Sequence, residues 1–71
     1  MRMEPVSSSQ VAALGWENDV LVVRFTTGAV YAYSSVPYTV YQEVKNAPSV
    51  GHALNECLKY NENYPCTKLT D

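Results

Sequence analysis

One stretch dictates most of what this chain can fold into. It reads Val20-Leu-Val-Val-Arg-Phe-Thr26, then Thr27-Gly28, then Ala29-Val-Tyr-Ala-Tyr-Ser34. β-Branched and aromatic residues on both sides of a glycine predict two antiparallel strands joined by a tight loop. A two-residue mirror-type turn would force Thr27 to positive φ, which a β-branched side chain resists. A three-residue loop, Thr26-Thr27-Gly28 with Gly28 left-handed, avoids that strain. The loop then sets the register: Phe25 faces Ala29, Val23 faces Tyr31 and Leu21 faces Tyr33. Side chains alternate along a strand, so Leu21, Val23, Phe25, Tyr31 and Tyr33 share one side. Val20, Val22, Val30 and Ala32 share the other, with Arg24 and Ser34. Both sides are apolar. One must meet helices; the other must be covered in part or left to bind something.

Upstream, Ala12 to Trp16 reads as a further strand with Leu14 and Trp16 on one face. Glu17-Asn18-Asp19 is the turn that joins it to the next. Ser7-Ser-Ser9 caps a turn or a brief helix over Gln10–Ala13. Downstream, Pro37 suits the first turn of a helix. Val40, Tyr41, Val44 and Ala47 follow at amphipathic spacing, and Pro48 stops the run. Ser49 is the expected N-cap of a second helix. Its apolar stripe is Val50, Ala53, Leu54, Cys57 and Leu58, and it ends at Asn61-Glu-Asn63. Tyr64-Pro65 begins an extended tail, from which Leu69 packs back.

The expected architecture is α+β: a three-stranded antiparallel meander followed by two short helices, in two layers around one core. Residues 1–71 form a single domain, ordered over about 6–69, with loose ends at 1–7 and 67–71. Such a short chain buries a small fraction of its surface and has a thin stability margin. At 46% hydrophobic residues it nonetheless folds, while 17% charged residues leave apolar area uncovered.

Chemistry is sparse. The formal net charge is −2, and Arg2, Arg24, Lys45, Lys59 and Lys68 stand singly, so the cationic cluster of a nucleic-acid binder is missing. An RNA-binding reading requires Arg24, Lys45 and Lys59 to converge near exposed tyrosines. One histidine and two cysteines make no metal-ligand pattern, and no metal or cofactor is expected. His52 and Cys57 lie about 140° apart around a helix axis, so they form no thiol–imidazole catalyst there. The carboxylates fall in turns or on solvent faces, and no catalytic residue is expected. A Cys57–Cys66 disulfide is not expected in a reducing compartment. No segment suits a membrane span or a signal peptide, and the cytoplasm is the expected setting.

Taken in order, several segments resemble the KTSC domain, a module found at the C-terminus of some lysyl-tRNA synthetases and alone in small bacterial and phage proteins. They are Val6-Ser-Ser-Ser9, Leu21-Val-Val-Arg-Phe25, Gly28, Tyr31-Ala-Tyr33, Val36-Pro37, Val40-Tyr41, Ala47-Pro-Ser-Val-Gly51, Asn55 and Tyr64-Pro65. Tyr31-Ala-Tyr33 corresponds to the family's Tyr-x-Tyr signature. Three positions depart from the pattern. Ala53-Leu54 stands where an aromatic pair is common, Asn61-Glu-Asn63 where the family is often basic, and Trp16 where a tyrosine is usual. The resemblance implies no established chemistry. The synthetase attachment implies an RNA- or tRNA-binding accessory role, and the stand-alone members imply a bacterial or phage-infected host.

The binding residues singled out are Tyr31, Tyr33, Arg24, Asn55 and Tyr64. Tyr31 and Tyr33 have two readings: rings packed under the helices, or a platform for bases or for a protein anchor. Asn55 in a helix interior is expected to tie that helix to the Tyr64-Pro65 tail. The expected function is a non-enzymatic binding or adaptor module acting on a protein partner or on itself. The alternatives are an RNA-binding accessory domain or a nucleotide sponge with an aromatic pocket.

Overall fold

Two hairpin loops set the architecture. The computed structural model describes residues 2–59 and 63–70. Strand β2 (Val11–Glu17) turns into β3 (Val20–Phe25) through Asn18 and Asp19, at φ 51° and 64°. Both signs are those of a two-residue mirror-type turn, and Asn and Asp tolerate it best after glycine. β3 turns into β4 (Val30–Tyr33) through Thr26-Thr27-Gly28. The Phe25 N–H donates to the Ala29 carbonyl at 2.9 Å, and the Gly28 N–H donates to the Phe25 carbonyl at 2.9 Å. Gly28 sits at φ 98°, so this is the three-residue loop that keeps Thr27 unstrained. The register follows as expected, Leu21 opposite Tyr33 and Val23 opposite Tyr31. Gly28→Ala is expected to cost about 1 kcal/mol by chemical denaturation, because the empty space around the site leaves only backbone strain to pay.

The sheet has five strands, not the expected three, in the order β1-β2-β3-β4-β5, all antiparallel. The first of the extra two lies in the stretch 1–7 read as a loose end, and the second spans the expected extended tail and the start of the loose end 67–71. β1 (Glu4–Pro5) pairs with β2, and β5 (Cys66–Lys68) returns after the helices to pair with β4. Pro5 is tolerated because β1 is an edge strand. The Leu69 N–H donates to the Val30 carbonyl, 2.7 Å, yet the Leu69 side chain is 56% exposed. The tail therefore returns by its backbone, while its leucine does not pack back. Ser8 caps a turn rather than a helix: its Oγ accepts from the N–H groups of Gln10 and Val11, both at 3.2 Å.

β2 carries a bulge between Val11 and Ala13. The extra residue puts Val11 on the same face as Leu14 and Trp16, which an unbroken alternation forbids. Val11 and Leu14 are both fully buried. After β4, Ser35 at φ 60° drops the chain into α1 (Tyr38–Lys45), and the Val36 N–H donates to the Asp19 carbonyl at 2.7 Å. Pro37 stands at the N-cap of α1, one position before its expected place in the first turn. α2 (Val50–Leu54) is capped by Ser49, whose Oγ accepts from the His52 N–H at 3.4 Å. It continues as a π-helical segment, Asn55–Lys59. The expected helix end at Asn61-Glu-Asn63 includes residues 61 and 62, outside the described residues.

The core joins Val11, Leu14, Leu21, Val23 and Tyr33 of the sheet to Val36, Tyr41, Val44, Val50, Leu54 and Leu58. All of these sheet residues belong to one face. The helices close that inner face, and the α+β two-layer reading holds with a wider sheet than expected.

Candidate functional site

The inner face is sealed at Leu21, Val23 and Tyr33 and loosens at Phe25 and Tyr31, which are half-buried. There the rings of Phe25 and Tyr31 meet edge to face, centroids 5.6 Å apart. They line an open groove of about 410 Å³, with Gln10, Thr26, Tyr33 and Cys66. The two tyrosines of the Tyr-x-Tyr step thus divide their work. Tyr33 is 4% exposed and belongs to the core, while Tyr31 stands at the groove's rim. Burial pushes the Tyr33 phenol up to about 12, and the neighbouring Cys66 thiol adds to the rise. Uncharged polar groups and aromatic rings dominate this lining, and among the described residues no lysine or arginine lines it.

The outer face is a second surface. Register places Val22 opposite Ala32 and Arg24 opposite Val30, with Gly15 beside Val22 and Ala13 beside Arg24. Thr67 follows beside Ala32, and Leu69 continues the Arg24–Val30 row. Val20, Val22, Val30 and Ala32 are half-buried and Arg24 is exposed. An antiparallel sheet with one solvated face ordinarily alternates apolar-in with polar-out. Here the solvated face carries valine, alanine and leucine through its middle, with Thr67 and Ser34 among them, Arg24 toward one end and Glu17 at the other.

The five sequence-chosen residues are not brought together. Tyr31 and Tyr33 share the groove, and Arg24 lies on the opposite side of the sheet. Asn55 is half-buried at the junction of α2 and the π-helical segment, and Tyr64 is half-buried against the core. Neither is among the groove's lining residues. The tail is tied by strand pairing and by the Ser34 N–H donating to the Pro65 carbonyl at 2.8 Å.

Arg24 and Lys45 do not converge, since Arg24 lies on the outer face, while Lys68 stands opposite Tyr31 in the β4–β5 pairing. Lys45 of α1 pairs with Glu4 of β1, on the inner side, and lies 5.7 Å from the Tyr41 ring centroid. Their hydrogen bond holds the Glu4 carboxyl below its ordinary value and the Lys45 ammonium above its own. The Lys59 side chain lies outside what is described.

Sequence reasoning missed an aromatic cluster at the start of α1. The Trp16 indole N–H donates to the Val36 carbonyl at 2.8 Å. Its ring meets Tyr38 edge-on at 5.0 Å and stacks on Tyr41 at 6.5 Å. The three-residue spacing of Tyr38 and Tyr41 on one helix face was the available signal. Gln10 and Cys66 of the groove carried none, because they reach it only through the sheet's wider pairing.

His52 faces Glu56 at 3.0 Å on an exposed helix surface. Cys57 and Cys66 are not joined to each other in a disulfide. Among the described residues, no three His, Cys, Asp or Glu side chains gather to hold a metal, and no helix is long and apolar enough to cross a membrane.

A family model described as the KTSC domain matches residues 7–63. A protein of Tsukamurella paurometabola is 39% identical over 59 residues, which is 80% of this chain and 88% of that one. A lysine–tRNA ligase of Trichormus variabilis is 41% identical over 44 residues, 62% of this chain but 8% of the ligase. Among solved structures, the crystal structure of a KTSC domain protein from Yersinia pestis superposes with a TM-score of 0.88 at 28% identity, covering 97% of each chain.

Proposed function

The chain belongs to the KTSC domain family, and from that premise we propose that it is a small non-enzymatic binding module that docks on another protein chain, a second copy included. One observation carries this reading: the middle of the outer sheet face is mostly apolar, no helix among the described residues packs on it, and Leu69 stands 56% exposed at its end. Contiguous apolar surface on a small domain marks an interaction site more often than chance exposure. The proposed setting is the cytoplasm of a bacterium or of a phage-infected host.

The test compares the tagged wild-type domain with Val22→Asp, its fold checked by circular dichroism. Each is incubated in bacterial lysate, with protein and RNA both recovered, and sized by sedimentation. Wild type captures a protein or itself, and Val22→Asp loses that capture. Equal behaviour of the two, with nothing captured and a strict monomer at all concentrations, overturns the reading.

One finding favours a second reading. The match to a lysine–tRNA ligase supports an RNA-binding accessory domain. It expects tRNA binding at low ionic strength that weakens steeply with salt. Arg24 on the outer face is the cation to remove. The nucleotide-sponge alternative has less support, because among the described residues no lysine or arginine lines the Phe25–Tyr31 groove to meet a phosphate.

A further inference from the structure

We propose that the occupant of the outer sheet face is a second copy of this chain, docked sheet on sheet about a two-fold axis. This rests on the docking reading above and names its partner.

The argument begins from charge. Side-chain alternation puts Glu17 on the outer face, at the end where it pairs with Val20, and Arg24 on the same face at the other end. Both are exposed, and neither has an ion-pair partner among the described residues. Val20 and Arg24 are four residues apart along β3, about 13 Å at strand rise. A surface with a cation at one end, an anion at the other and apolar residues between them is complementary to itself when turned end for end.

The symmetry is specific. A two-fold axis lying between the sheets and across the strands must pass through the middle row, Gly15–Val22–Ala32–Thr67. That row is narrow-bodied, so two sheets can approach to about 10 Å. The rotation then lays the Arg24–Val30–Leu69 row of one copy over the Glu17–Val20–Ser34 row of the other. Arg24 of each copy reaches Glu17 of its mate, one strand spacing of about 4.8 Å to the side. The ion pair forms twice, as an isologous interface requires.

The sheet edges do not compete. β1 has two residues, one of them Pro5. β5 has three, preceded by Pro65 and ending in Lys68. Short edges bearing proline and lysine are how proteins discourage edge-to-edge pairing. The face has no such guard at its centre. Five short strands give a small footprint, so the dimer is weak and concentration-dependent, at the low end of specific interfaces.

Sedimentation equilibrium from micromolar to millimolar chain tests it, with circular dichroism confirming each fold. Wild type dimerises. Arg24→Glu or Glu17→Arg sets like charges face to face and weakens self-association at least tenfold. The double variant E17R/R24E restores it to within about threefold of wild type, and Leu69→Asp weakens it about tenfold. A wild type that stays monomeric at millimolar concentration overturns the inference, as does a double variant no better than either single one. If the chain is monomeric yet captures another protein in a manner lost with Val22→Asp, the docking reading stands and only the second copy falls.

Discussion

Leu21→Ala is expected to destabilise the domain by about 2–5 kcal/mol and to leave much of it unfolded near physiological temperature. Leu21, the second residue of β3, is fully buried between Trp16 of β2 and Tyr33 of β4. Truncation loses the transfer energy of the removed methyl and methylene groups. It also opens a cavity that a tightly paired sheet cannot collapse. The margin is thin: a domain of this length has on the order of 4–11 kcal/mol in total. The control lies one residue away. Val22→Ala, half-buried on the outer face, is expected to cost less than about 1 kcal/mol, because water already reaches that side chain. Urea denaturation of both variants gives the comparison. Equal losses at residues 21 and 22 would mean that the helices do not seal only one side of the sheet.

That asymmetry was partly legible in the sequence. Thr27-Gly28 sets the β3–β4 register because Thr27 cannot take positive φ cheaply and Gly28 can. From that register alone, Leu21, Val23 and Tyr33 fall on one side and Val22 and Arg24 on the other. Pro37, Pro48 and Ser49 marked the helix boundaries by the same local logic. What was not legible is non-local. β1 and β5 have two and three residues, too few to show a period, and β5 pairs with a strand more than thirty residues earlier in the chain. Proline beside each reads as a loose end until an edge is there to receive it. The bulge before Ala13 hides Val11 from any strict alternation. Tyr31 and Tyr33 share a face, so period could not separate them. Only the reach of the helices decides that one is core and the other rim. The groove was unreadable for the same reason, since Gln10 and Cys66 arrive from opposite ends of the chain.

Tyr33 makes the fold sensitive to alkali, with a sign that its environment fixes. Its phenol is pushed up to about 12 in the folded chain, first by burial and then by the Cys66 thiol beside it, against an ordinary value near 10. The folded state therefore holds the phenolic proton more tightly than the unfolded chain does. Stability from this group is fully present below about pH 10. It falls as the pH rises from there through about 12, because over that range the unfolded chain ionises ahead of the folded one. Two pH units correspond to at most about 2.7 kcal/mol. The open groove beside Tyr33 admits water to its rim, so a loss of about 1–2 kcal/mol between pH 9 and 12 is expected. Tyr33→Phe keeps the ring in the core and removes the proton. Urea denaturation of both proteins across that range isolates the term, because every other titrating group is common to them. The wild type should lose about 1–2 kcal/mol more than Tyr33→Phe. An identical alkaline decline in the two would mean that Tyr33 ionises as freely folded as unfolded, and that its hydroxyl is bathed in solvent rather than held at the buried end of the groove.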